Sequence, residues 1–295
     1  MADGARPYQV PDQPRRRGMT AGSLAGPSPI EGSGSERARC LLAPNPSLMT
    51  LDGTNTWLVA EPGSAAAVVI DPGPDDESHL QRICAVAAER GQRVADIVLT
   101  HRHLDHSAGA PRLAELTGAP VRAVDPAHRL GSEGLAAGAV LDSAGCELRV
   151  ITTPGHTSDS VSLSIPADGV VLTGDTVLGR GTAVISDDGS LGDYLDSLRR
   201  LRALAEATSL RSLLPGHGPL LADPAGVLDF YLAHRAERLD EVRAALTAGD
   251  LNPAEIVRRV YAAVDKALWP FAESSVRAQL RYLRDAGEVP PGVTW

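Results

Sequence analysis

Cysteine is scarce in this chain. There are three in 295 residues, Cys40, Cys84 and Cys146, and no two stand in a CxxC pair. A disulfide framework is therefore excluded, and a reducing cytoplasm is the expected compartment. Cys84 shares helical spacing with Leu80, Ile83 and Ala87 and reads as a small core residue. Long apolar runs are also missing. None approaches the roughly 20 residues that a membrane span needs, so no membrane partner is expected. Positive charge is in deficit, with 28 Lys and Arg against 37 Asp and Glu and a net charge of −9. Such a balance excludes a broad nucleic-acid-coating surface and leaves room only for a local basic groove. Arg15-Arg16-Arg17 opens no export signal, because the Gly/Ser/Pro-rich stretch from Gly18 to Pro29 lacks an apolar core.

Residues 1–35 are poor in large apolar side chains and rich in Gly, Pro, Ser and Arg. A segment of that kind cannot bury enough surface to offset its ordering entropy, and a disordered tail is expected. From Ala38 the pattern changes to short apolar strands alternating with helical stretches. Thr56–Val59 and Ala67–Ile70 read as strands, the second stopped by Asp71-Pro72-Gly73-Pro74. Further strands are read at Ile97–Leu99, Leu148–Ile151, Val161–Ile165, Val170–Leu172 and Leu213-Leu214, and a helix over Tyr194–Leu204. This alternation predicts an α/β domain over residues 36–222, with its site at one edge of the sheets.

After Asp223 the character is helical. Val227–Leu246 reads as one long helix. Asn252-Pro253-Ala254-Glu255 has the N-cap, first-position proline and third-position glutamate of a helix start. Val276, Leu280 and Leu283 make the apolar stripe of a last helix that ends at Gly287. With a β-wing at Glu288-Val289, residues 223–295 would form a small winged-helix-like domain.

The most informative stretch is Thr100-His101-Arg102-His103-Leu104-Asp105-His106, directly after an apolar strand. One or two histidines in a polar loop are ordinary. Here three of the eight in the chain fall within six residues. In an extended segment His101 and His103 project to the same side, while Asp105 and His106 enter the turn that starts a helix. Imidazoles and a carboxylate at such spacing suit zinc. Two further histidines stand in matching loops, Pro154-Gly155-His156 and Pro215-Gly216-His217, each after an apolar strand. Asp175, in Thr173-Gly174-Asp175-Thr176, has the same context. His79, His128 and His234 belong to no such constellation.

The order HxHxDH, His156, Asp175, His217 resembles the metallo-β-lactamase superfamily over roughly Ala38–Leu221. The resemblance implies an αββα four-layer sandwich. It also implies a dinuclear metal centre, with His101, His103 and His156 on one ion, Asp105, His106 and His217 on the other, and Asp175 bridging. Asp71 matches a position that orients such a site. The expected cofactors are two divalent ions, zinc first, with manganese or iron(II) as alternatives. The expected chemistry is hydrolysis by a metal-bridging hydroxide that Asp105 aims. No cysteine falls where zinc β-lactamases carry one in place of Asp175.

The branch of the superfamily bears on the substrate. Gly53-Thr54-Asn55-Thr56-Trp57-Leu58, Gly174–Gly179, Pro215-Gly216-His217-Gly218-Pro219 and Tyr231-Leu232-Ala233-His234-Arg235 resemble the β-lactamase-like protein 2 group of endoribonucleases, and that likeness extends to the C-terminal end. It implies single-stranded RNA as substrate, with Asn55 and Arg180 near the metals or the substrate. Arg102, Arg180 and the helical row Arg277, Arg281, Arg284 are the candidates for a cationic groove. The alternatives are a small thioester or ester, as in glyoxalase II, and a metal-stabilised binding module without catalysis. From Asp223 onward nine Lys and Arg face eleven Asp and Glu, which argues against a strongly nucleic-acid-binding domain. Every candidate ligand precedes Asp223, so loss of residues 223–295 is expected to harm substrate use more than metal binding, with the long helix Val227–Leu246 packing on the catalytic domain.

Overall fold

The computed structural model describes residues 35–131, 133–185 and 187–295. The expected disordered tail, all but its last residue, lies outside the described residues. Two sheets face each other. The first contains β1 (Ala38–Leu42), β2 (Asn55–Val59), β3 (Ala66–Ile70), β4 (Arg93–Val98) and β5 (Val121–Arg122), neighbours in that order. The second contains β6 (Val140–Leu141), β7 (Leu148–Thr152), β8 (Val161–Ile165), β9 (Val170–Gly174), β10 (Ser212–Pro215) and β11 (Leu221–Ala222), again in sequence order. Pairing is parallel for β3–β4, β4–β5 and β9–β10, and antiparallel elsewhere.

Each parallel step needs a crossover, and helices supply it. Between β3 and β4 runs α1 (Glu77–Glu89), capped by Asp76, whose carboxylate accepts the His79 amide. Between β4 and β5 run the single turn α2 (Leu104–Ser107) and α3 (Ala110–Thr117). Between β9 and β10 runs α4 (Leu191–Ala207), capped by Ser190.

Strand β3 explains why its sequence shows no polar–apolar alternation: it is covered on both faces. Val68 and Ile70 face the second sheet and pack with Leu148, Leu163 and Leu172. Ala67 and Val69 face Leu80 and Ile83 of α1 and Leu113 of α3. Leu163 is fully buried between the sheets. Truncating such a side chain to alanine costs about 2–5 kcal/mol.

The outer layer on the second sheet is α4 with α5 (Pro224–Thr247), α6 (Pro253–Val260) and α7 (Trp269–Asp285). One apolar cluster joins Leu195 and Leu198 of α4 to Leu228 and Val242 of α5, Ile256 of α6, and Val276, Leu280 and Leu283 of α7. The C-terminal helices thus complete the fourth layer and share its core. Asn252 caps α6 by accepting the Glu255 amide at 3.0 Å. Glu255 in turn accepts the Leu251 amide at 2.9 Å. At the end of α7, Gly287 takes φ +74°. The Glu288 amide then reaches back to the Leu283 carbonyl at 2.8 Å.

The expected β-wing at Glu288-Val289 does not form, and the chain there is irregular. Pro290 and Pro291 follow and offer no amide for a ladder, while Glu288 pairs with Arg243 of α5 instead. Among the described residues no helix is long and apolar enough to cross a membrane.

Candidate metal centre

All the candidate ligands sit at one end of the sandwich, in loops or, for Asp105 and His106, in the short helix α2. Asp71 follows β3, His101 and His103 follow β4, His156 follows β7, Asp175 follows β9 and His217 follows β10. His103 is the N-cap residue of α2, so Asp105 and His106 lie in the first turn and curl back toward the strand ends. The His217 loop stitches the two sheets together. The Asn55 amide donates to the Gly216 carbonyl at 2.8 Å, and Thr54 forms a bridge with His217.

The seven side chains form two connected groups. In the first, His101 Nε2 lies 3.1 Å and His156 Nε2 lies 3.0 Å from His103 Nδ1. In the second, His106 Nε2 and His217 Nε2 are 3.1 Å apart, and Asp105 Oδ2 is 3.1 Å from the His217 nitrogen. Asp175 stands between the groups. Its Oδ1 is 3.4 Å from His106 Nε2, and its Oδ2 is 3.4 Å from His217 Nε2 and 3.8 Å from His156 Nε2.

These atoms fit a metal. A tetrahedral ion with bonds near 2.0–2.1 Å holds its ligand atoms roughly 3.3 Å apart. The Asp175 Oδ1 atom is buried and has no hydrogen-bond partner. An unpaired carboxylate oxygen at this depth is costly unless a cation meets it.

The ring nitrogens that face away from the centre are held by acceptors. His106 Nδ1 contacts Asp71 Oδ2 at 2.9 Å, His217 Nδ1 contacts the Gly53 carbonyl at 3.2 Å, and His156 Nδ1 contacts the Val184 carbonyl. His101 Nδ1 lies 3.0 Å from Thr100 Oγ1, which itself donates to Asp71 Oδ2 at 2.7 Å. Each such contact turns the opposite nitrogen lone pair inward. Asp71 therefore orients His106 directly and His101 through Thr100. It is buried, and its backbone sits at φ +51°, a strained conformation for a residue other than glycine.

Electrostatics separate the two groups. Burial keeps His101, His103 and His156 below the usual imidazole range, His156 down to about 4. Burial also opposes charge on His106 and His217, yet the Asp175 carboxylate outweighs it, helped by Asp71 at His106 and Asp105 at His217. His106 is held well above the ordinary value and His217 is raised to about 9. Asp175 is held well below the carboxylate range, because His217 and His106 outweigh its burial. The first group thus offers three neutral imidazoles, and the second a carboxylate–imidazolium cluster.

The remaining expectations divide. Asn55 is buried, and its amide donates to the Pro215 and Gly218 carbonyls at 2.9 and 2.8 Å. It holds the His217 loop and does not itself reach the cluster atoms. Arg180 is exposed and pairs with Asp52. Arg102 pairs with Asp188 and has Asp125 and Asp159 each at 4.0 Å. Arg277 pairs with Glu273, and Arg284 pairs with Asp285 while lying over Trp295. Each of these four arginines faces a carboxylate of its own, whereas Arg281 of the same helical row makes no ion pair among the described residues and its buried Nη2 has no hydrogen-bond partner. His234 stacks on Phe230. His79 is buried against the Thr56 hydroxyl at 2.9 Å. Neither belongs to the cluster, and nor does His128.

Two contributors were not singled out from the sequence. Thr100 precedes the first histidine and relays Asp71. Gly216 admits no side chain, since a Cβ there would stand 2.5 Å from Asp175 Oδ1 and 2.7 Å from His106 Cε1. The repeated Pro-Gly-His pattern carried the signal for the second.

Comparison with known proteins agrees with this geometry. Residues 49–217 match the model of the metallo-beta-lactamase superfamily, and residues 253–290 match that of the beta-lactamase associated winged helix domain. A beta-lactamase-like protein 2 homolog of Drosophila melanogaster is 30% identical over 84% of this chain and 88% of its own length. An atrochrysone carboxyl ACP thioesterase of Aspergillus fumigatus is 32% identical over 77% of this chain and 74% of its own. A solved beta-lactamase domain protein from Burkholderia ambifaria superposes with a TM-score of 0.72 at 26% identity, covering 90% of this chain and 91% of that one. Fold, cluster and relatives agree: the chain belongs to the metallo-beta-lactamase superfamily of hydrolases.

Proposed function

We propose that the protein is a dinuclear zinc hydrolase whose substrate is an acyl thioester. His101, His103 and His156 would hold one ion, Asp105, His106 and His217 the other, and Asp175 would touch both. Ions bound there supply a hydroxide at neutral pH and a Lewis acid for the attacked carbonyl. Asp105 is the least buried of the cluster carboxylates, with 30% of its side chain exposed against 11% for Asp175. It is placed to accept a proton from the attacking water and to orient it. His/Asp donor sets also accept manganese and iron(II).

The observation that favours a thioester is the character of the rim. Leu104 stands between His103 and Asp105 with 72% of its surface exposed. Leu48 and Met49 are exposed on the loop that leads to Gly53, whose carbonyl holds His217. Apolar side chains beside a metal centre suit an acyl chain. Four of the five arginines that a polyanion could use are paired with carboxylates. The relative named as an ACP thioesterase agrees with this reading. Cleavage of single-stranded RNA is the second reading, supported by likeness to beta-lactamase-like protein 2 homologs over most of the chain. Three unpaired cysteines suit a cytoplasmic location for either.

The deciding experiment assays one preparation on acyl-thiol esters and on single-stranded RNA, with an Asp105→Asn control. Thioester turnover that the control abolishes, with RNA left intact, is expected. RNA cleavage that weakens with salt and vanishes in the control would reverse the order of the two readings.

A further inference from the structure

Arg235 on α5 is the unusual residue of the outer layer. It is 3% exposed, and its Nε has no hydrogen-bond partner. Among the described residues it makes no ion pair with a carboxylate. A buried guanidinium without a counter-charge is costly, and an apolar side chain of the same size would fill the space more cheaply. Its contacts point to a role. Nη2 donates to the Ala183 carbonyl, and the guanidinium lies 4.9 Å from the centroid of the Tyr194 ring.

One helical turn earlier, Tyr231 does related work. Its buried hydroxyl accepts the Leu178 amide at 2.9 Å and faces the Gly181 carbonyl at 2.9 Å and the Leu178 carbonyl at 3.1 Å. The two residues are spaced i, i+4, so they share one face of α5. Together they fasten the irregular segment that runs from Leu178 to Ala183. The next carbonyl, Val184, is the one that holds His156 Nδ1. Tyr194, on which Arg235 rests, donates its hydroxyl to the Thr176 carbonyl at 2.7 Å, next to Asp175. Its backbone also crowds Gly155, where a Cβ would come within 2.3 Å of Tyr194 Cα.

We infer that Tyr231 and Arg235 are positioning residues for the first metal site, fixing the Val184 carbonyl and through it the ring of His156. This rests on the dinuclear reading above and deepens it: the C-terminal helices set the affinity of one ion more than that of the other. The groups that touch the ion all lie before Asp223, and the groups that hold one of them in place lie after it.

The test uses the full chain and reads metal affinity, not turnover. In a His217→Ala background only the first triad remains intact, and in a His103→Ala background only the second. The metal-free proteins are titrated with zinc against a chromophoric chelator, and with cobalt(II) for its visible spectrum. Tyr231→Phe and Arg235→Met are each expected to weaken the first triad about tenfold or more and to shift its cobalt bands, with a much smaller effect on the second. Arg235→Lys should restore part of the loss. Tyr231→Phe removes one oxygen and keeps the ring, so it reads the result even where Arg235→Met does not fold. Unchanged affinities in folded variants, or equal weakening of both triads, would overturn the inference. A parent chain, without either background substitution, that binds no ion overturns the dinuclear reading instead.

Discussion

Asp71 shows how much of the centre depends on a residue that touches no ion. Its two oxygens take the Thr100 amide, the Thr100 hydroxyl and His106, so two histidines inherit their orientation from it. Asp105 differs in being partly exposed and free to face substrate. Asp105→Asn should keep the melting temperature within a few degrees and lower kcat by about a hundredfold or more. Near-normal turnover in that variant would remove Asp105 from the reaction, whereas His234→Ala should change little. The histidines also predict a proton count. A raised value means that His217 keeps its proton up to about pH 9 in the metal-free protein, so an ion there must displace it. His156, near 4, is already neutral. Affinity of the second triad should therefore rise more steeply with pH through the neutral range than that of the first. Calorimetry near neutral pH in buffers of different ionisation enthalpy should find more protons released by the second triad than by the first, whose imidazoles have none to lose. Heats that do not depend on buffer for both triads would contradict this.

At the scale of elements, the ligand loops are short turns set by the strands before them. The Pro215-Gly216-His217 turn is crowded by the cluster itself, because Asp175 and His106 occupy the space where a side chain would stand. Gly216→Ala is expected to weaken the second triad by about tenfold or more while β10 stays paired with β9. Zinc affinity measured beside the far-ultraviolet spectrum checks it, and unchanged affinity would mean that the loop yields at no cost. The α5 helix carries a different lesson. Reading ligand positions along the chain makes metal binding look less sensitive than substrate use to everything after Asp223. Tyr231 and Arg235 reach back from that region to the Leu178–Ala183 segment, and the two cannot be separated so simply.

At the scale of the whole molecule, the centre lies where both sheets end, and a bound ion ties loops from each. Elemental analysis of protein purified without chelators should find about two ions per chain. Removing them should lower the melting temperature and returning them should restore it, because an ion that binds the folded chain alone stabilises it. Well under one equivalent, with no recovery on adding zinc or manganese, would exclude a dinuclear centre.

Local pattern and tertiary placement contributed differently. Seven of the eleven strands among the described residues, the long α5 helix and the Asn252 cap were legible because each depends on neighbours in sequence, and the family resemblance added the seven cluster residues, while the edge strands β1, β5, β6 and β11 were not read. An apolar run makes a strand, Pro-Gly makes a tight turn, and HxHxDH places its side chains within one strand end and one helical turn. The β-wing was misread because two prolines beyond it denied the ladder its amides. What sequence could not carry was every relation between distant segments. That Asp71 orients two histidines, that Gly216 must stay bare, and that Arg102 and Arg180 are paired with Asp188 and Asp52 all depend on groups far apart in the chain. Hydrogen bonds and ion pairs act over a few ångströms in space, and only the packing of one sheet on the other decides which groups come that near.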